Sequence, residues 1–197
     1  MSGPARDYLV IADEYSKLKI FNASNLHELL SVWVPFSAQP VQLLTLGKRL
    51  IYLARRIYKE NTSSAFELYE LESSQLELEE FPNKRIPYQS EMNNDNIECR
   101  LVSTGEHSFA VVCLHPELLS VDCYSSEEAG VTHQSKRTHA LPKADRDSLS
   151  VVYTEEDRQL LVLLGQESEL DPPTELSLES ESLELTAKET LLRISLA

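Results

Sequence analysis

The chain has 197 residues, with 32 acidic and 18 basic side chains, a formal net charge of -14 and 42% hydrophobic residues. That length gives one domain with a sizeable core, and the hydrophobic share excludes disorder over the whole chain. So negative a surface repels nucleic-acid phosphates and anionic headgroups. Neither nucleic acid nor a membrane is therefore expected as a partner, and proteins remain, basic ones most easily.

At the N-terminus, Met1 to Asp7 leads straight into an apolar run, without the basic segment and long apolar core of a secretory signal. No later run approaches the roughly 20 apolar residues of a membrane span. A cytoplasmic protein is expected, with the nucleus also open. Cys99, Cys113 and Cys123 are then expected as reduced thiols, packed as small core residues.

The first unit, 7–40, opens on Tyr8-Leu9-Val10-Ile11-Ala12, continues through Leu18-Lys19-Ile20-Phe21-Asn22 and closes on Val34-Pro35. The second, 41–95, starts with Val41-Gln42-Leu43-Leu44-Thr45 and turns at Leu46-Gly47-Lys48-Arg49 into the apolar run Leu50-Ile51-Tyr52-Leu53-Ala54. A polar loop from Arg55 to Ser64 follows, then Phe66-Glu67-Leu68-Tyr69-Glu70-Leu71 with a period of two, Phe81-Pro82, and a longer loop from Asn83 to Asn96. The third unit, 96–147, repeats the order with Cys99 to Ser103, the run Phe109 to Leu114, Leu119 to Tyr124, a turn at Ser125-Ser126-Glu127, and Leu141-Pro142. In the fourth, 148–197, Leu149 to Tyr153 precedes the run Leu160 to Gly165 and the alternating Glu175-Leu176-Ser177-Leu178-Glu179.

Each apolar run is too short for a typical helix and suits a strand buried on both faces. The runs recur every 40 to 60 residues or roughly so, the range of propeller blades and solenoid repeats. The first unit begins at its apolar run, so a leading strand is missing there. The chain also ends in a strand-like Leu191 to Leu196, which either completes the first unit or pairs with an adjacent chain. The acidic stretch from Glu167 to Glu189 reads either as outer strands of the fourth unit or as an acidic tail.

The order of strand, turn, buried strand, polar loop, tyrosine-bearing strand and apolar-Pro closure resembles Kelch-repeat blades. The second unit is nearest, in Gly47 to Ala54, Phe66 to Glu70 and Leu78-Glu79-Glu80-Phe81-Pro82. The repeats are degenerate: of the glycines usual after the buried strand, Gly165 stands alone. The resemblance implies an all-β fold of about four propeller-type blades, as a small ring, a half-propeller that dimerises through open blade edges, or a fragment. It also implies a non-catalytic scaffold, with substrate capture for ubiquitin ligases or cytoskeletal contact among the family's roles. An alternative is a structural subunit whose blade edges a larger complex completes; a propeller enzyme is a third reading, disfavoured by the apolar character of the buried strands.

No chemical motif stands out. Cys113 and His115 would share one face of a strand, but no Cys-x-x-Cys or His-x-x-x-His pair accompanies them, so no metal is expected. There is no Gly-x-Ser-x-Gly elbow and no glycine-rich phosphate loop, so neither catalytic residues nor a cofactor are assigned. Candidate partner-binding residues are Arg55, Arg56, Tyr58 and Lys59 on one long loop and Tyr88 on the other. Lys48, Arg49, Arg55, Arg56 and Lys59 read first as charges that protect a strand edge, and otherwise as a basic rim that recognises an acidic peptide. Trp33, Phe36 and Tyr124 are either further contact aromatics or packing between blades.

Overall fold

The computed structural model describes residues 8–13, 17–35, 38–47, 49–57, 64–72, 84–88, 98–141, 148–156, 158–165 and 190–196. Within them the elements are all strands, arranged as four antiparallel meander sheets that follow one another along the chain. The first sheet holds β1 (Tyr8–Ala12), β2 (Lys17–Asn22) and β3 (Glu28–Trp33). The second holds β4 (Gln39–Leu46), β5 (Arg49–Ile57), β6 (Ser64–Glu72) and the short β7 (Lys84–Ile86). The third holds β8 (Glu98–Gly105), β9 (Ser108–Leu114), β10 (Leu118–Glu127) and β11 (Gly130–Ala140). The fourth holds β12 (Ser148–Thr154), β13 (Gln159–Gly165) and β14 (Thr190–Ser195). Turns of two residues join several neighbours. Between β4 and β5, Gly47 takes φ +56°, the left-handed conformation that such hairpin turns require and glycine adopts without penalty.

Strands β5 and β9 explain why the sheets stack. Side chains alternate across a strand, so an unbroken apolar run needs cover on both faces. Leu50, Tyr52 and Ala54 of β5 face the first sheet and pack with Leu18, Ile20 and Val32. Ile51 and Leu53, from the other face, pack with Leu101, Phe109 and Val111 of the third. Ala110, Val112 and Leu114 of β9 then meet Leu160, Val162 and Leu164 of the fourth. Three cores thus separate four sheets in chain order. Each fully buried aliphatic or aromatic side chain contributes about 1.5–3 kcal/mol. Stacked rings reinforce two of these layers, Tyr52 on Tyr69 at 5.2 Å and Phe109 on Tyr124 at 5.0 Å between centroids.

The first strands of successive sheets also meet, β4 against β8 and β8 against β12. A side chain locks the first of these contacts. The Gln42 amide donates from Nε2 to the Leu101 carbonyl at 2.8 Å and accepts at Oε1 from the Leu101 N–H, also at 2.8 Å. It thereby takes the place of a neighbouring strand along the open edge of β8.

Several expectations are corrected. The buried central strand of the first sheet is β2, whose Leu18 and Ile20 are fully covered, whereas β1 exposes Leu9 and Ile11. The C-terminal strand does not complete the first unit: β14 pairs with β13, from Leu160↔Ile194 to Leu164↔Thr190. Cys99 and Cys113 are not reduced thiols. They face each other in register on β8 and β9 with Cα atoms 4.1 Å apart, and they form a disulfide. Register, which sequence spacing alone does not reveal, brings them together. Cys123 is free. The segment Glu175 to Glu179 lies outside the described residues.

Two consequences of this packing are measurable. Replacing Gln42 with Leu leaves the Leu101 amide and carbonyl without their partner; a loss of about 1–3 kcal/mol is expected in urea unfolding. The second concerns Tyr52, Tyr69, Tyr88 and Tyr124, whose phenols are all pushed above the usual tyrosine range, first by burial. The Glu67 carboxylate adds to this at Tyr69, and Asp122 at Tyr88 and Tyr124. Folding favours their neutral form, so their contribution is complete below about pH 10 and is lost as pH rises, because the unfolded chain ionises first. Stability measured by urea midpoint should therefore stay level up to about pH 10 and fall steeply above it, with the phenolate absorbance of these rings appearing only on unfolding.

Candidate binding surface

A sheet at the end of a stack has one face that no neighbour covers. On the first sheet the register places Leu9 beside Phe21, Ile11 beside Lys19, and Lys17 beside Trp33. These side chains share the face turned away from the second sheet, since Leu18 and Ile20 point the other way into the core. Leu9 is 41% exposed, Ile11 45% and Trp33 60%. Lys17 sits over the Trp33 ring with its Nζ 4.1 Å from the centroid, and Lys19 pairs with Asp13 at 3.8 Å. At one end, the β2–β3 turn holds Leu26 in the left-handed region at φ +55° and 64% exposed. A bulky residue there costs stability, and such positions collect at functional sites. The opposite end of the stack is also open: Val152 is exposed on β12, cross-strand from half-buried Leu161.

Trp33 was legible as a candidate contact aromatic. Leu9 and Ile11 were not, because an apolar run of five residues reads as buried whether it ends a stack or lies within it.

The basic rim is differently placed from the sequence expectation. β5 is not an edge, since β4 and β6 flank it, so its charges do not protect one. Arg49 and Arg56 answer carboxylates of β6. Arg49 is buried and pairs with Glu70, and its Nη2 donates to the Glu128 carbonyl at 2.9 Å. Lys84 approaches Glu70 from solvent at 3.9 Å. Arg56 lies 3.7 Å from buried Glu67, which also holds Arg85 at 3.0 Å and accepts from the Tyr69 hydroxyl at 2.6 Å. Arg55 stands half-buried near the end of β5, opposite Phe66. Tyr58 and Lys59 lie outside the described residues, as does Phe36. Tyr88 is corrected outright: it is 7% exposed, packed in the core between the second and third sheets beside Cys99 and Cys113. Tyr124 is buried there too.

Neither comparison with known proteins finds a relative: no family model and no curated protein matches the chain.

Among the described residues no cluster of three or more His, Cys, Asp or Glu side chains is arranged to hold a metal ion. The polar pairs that do occur are separate. His133 Nε2 lies 3.1 Å from the buried Asp122 carboxylate, and Ser120 faces His115 at 3.4 Å.

The buried carboxylates rank the arginines by consequence. Arg49→Ala leaves buried Glu70 with only the looser contact to exposed Lys84 among the described residues and should cost about 3 kcal/mol, whereas Arg56→Ala should cost about 1 kcal/mol or less, because Arg85 still holds Glu67 at 3.0 Å. Chemical denaturation of the two variants checks the order.

Proposed function

We propose that the four sheets are blades of an open, Kelch-like array, and that the chain is a non-catalytic cytoplasmic module that grips a partner protein. The observation that carries this reading is the uncovered face of the first sheet. Stacked repeats stay soluble when their terminal units turn a polar face outward. Here the terminal unit turns out Leu9, Ile11 and Trp33 instead. Apolar residues around an exposed tryptophan are the composition of interface hot spots, with Lys17 and Lys19 as a polar margin. The resemblance in the second repeat adds the scaffolding roles of Kelch proteins, ubiquitin-ligase substrate capture and cytoskeletal contact, as the classes of partner to examine.

A second reading is favoured by Val152 at the far end of the stack. With both terminal sheets open, the chain is then a structural subunit whose ends are completed by a larger complex or by a second copy.

A photo-crosslinking residue in place of Trp33, compared with one in place of exposed Lys136 on β11, separates these possibilities. The binding-module reading expects crosslinks to a different protein from position 33 and not from 136. The pair Leu9→Glu and Ile11→Glu should abolish them while leaving the urea midpoint nearly unchanged, since both side chains already meet solvent. Crosslinks to another copy of the chain support the subunit reading. Equal labelling from both positions sinks the placement of the site on this face.

A further inference from the structure

The disulfide lies where a purely architectural bond is least needed. Cys99 and Cys113 sit within a hairpin whose ladder runs from Glu98↔Leu114 to Gly105↔Ser108, and β10 holds β9 from the other side through Ser120↔Cys113. Backbone hydrogen bonds therefore keep the two residues opposed whether or not the sulfurs are joined. Both cysteines are fully buried among Leu101, Phe109 and Val111.

Into this apolar setting Tyr88 brings a hydroxyl. Its oxygen lies 2.7 Å from Cys113 Sγ and 3.7 Å from Cys99 Sγ. A disulfide sulfur is a weak acceptor, whereas a thiol both donates and accepts. The hydroxyl is thus placed to satisfy either oxidation state, and reduction does not strand a buried polar group. Tyr88 also comes just after the least anchored of the strands around the pair. It follows β7, the shortest strand among the described residues, an edge held to β6 there by the pairs Leu68↔Ile86, Tyr69↔Arg85 and Glu70↔Lys84. Short edge elements open locally at far lower cost than the fold as a whole.

We infer that Cys99 and Cys113 form a reversible thiol–disulfide site gated by Tyr88, whose co-reactant is a dithiol. With β7 and Tyr88 swung aside, one thiolate of the dithiol attacks a sulfur of the pair. The Cys99–Cys113 bond breaks, a mixed disulfide forms, and the displaced cysteine takes up a proton. The second thiol of the reductant then closes on its partner and releases the other cysteine. Cys99 and Cys113 gain two electrons and two protons, and the dithiol leaves as a disulfide.

The test uses the full chain with Cys123→Ser, so that only this pair reports, and dithiothreitol as the dithiol under native conditions. Maleimide mass-tagging counts the thiols released, and circular dichroism follows the sheets. The expected result is two tags after dithiothreitol with β signal retained. Tyr88→Ala should accelerate reduction about tenfold or more by removing the gate. Tyr88→Phe keeps the ring but removes the hydroxyl. It should leave the rate within about threefold and shift the dithiol-to-disulfide equilibrium toward the disulfide, because the reduced thiols lose their partner. Tagging without any reductant overturns the proposal. So does reduction that keeps pace with global unfolding, measured by urea-induced loss of β signal, in the parent and in whichever Tyr88 variant folds.

Discussion

Everything else in this fold depends on two strands that are apolar on both faces. β5 and β9 each place side chains alternately into two different cores, so neither is stable until sheets lie on both sides of it. That requirement makes the second and third sheets interior and turns the chain into an ordered stack. It also fixes where polar groups are tolerated. Glu67 and Glu70 on β6 are buried only because arginines and a lysine from β5 and β7 reach them, and the Tyr69 hydroxyl supplies a further bond to Glu67. The clustered basic residues around β5 are therefore structural counter-charges, in part, before they are anything else.

How much of this was legible in the sequence varied with the physics behind each element. Leu50 to Ala54 and Phe109 to Leu114 announce themselves, because a dense apolar run too short for a helix is stable mainly as a strand covered on both faces. Their leading partners β4, β8 and β12 were readable from the turns that join them. β11 was not: Gly130 to Ala140 is long, polar and charged, and its conformation comes from pairing with β10, not from its own preferences. β7 was lost inside an expected loop for a similar reason, since three residues carry no period. The disulfide and the burial of Tyr88 depend on register between strands and on packing between sheets. Local composition encodes neither. The uncovered face was half visible: Trp33 drew attention as the lone tryptophan, but exposure of Leu9 and Ile11 depends on the first sheet having no further sheet stacked on that face among the described residues.

The edges of the sheets sharpen the functional reading. An open strand edge invites pairing with any extended chain, and proteins blunt such edges with charge, proline or bulges. β4 carries Pro40 and a bulge beside it. β8 is capped by the Gln42 amide and bulges near its end, at Ser103 to Gly105. β11 presents Lys136 and Arg137 and is bent by a bulge opposite Cys123 and Tyr124. Each of these three edges carries a bulge, joined by proline on β4, a side-chain amide on β8 and charge on β11.

β1 has none of them. Tyr8-Leu9-Val10-Ile11-Ala12 contains no charge, no proline and no register shift against β2, and it is an edge among the described residues. The same strand supplies Leu9 and Ile11 to the exposed apolar face. An undefended edge and an uncovered face on one strand, in a chain that blunts those three others, are hard to reconcile with a surface left to water. They are reconciled if something else lies there. A partner that both extends the first sheet and covers its outer face would satisfy the backbone groups and the side chains of β1 at once, which a face contact alone would not. On the proposed binding reading, the partner brings backbone to β1 as well as side chains to Trp33.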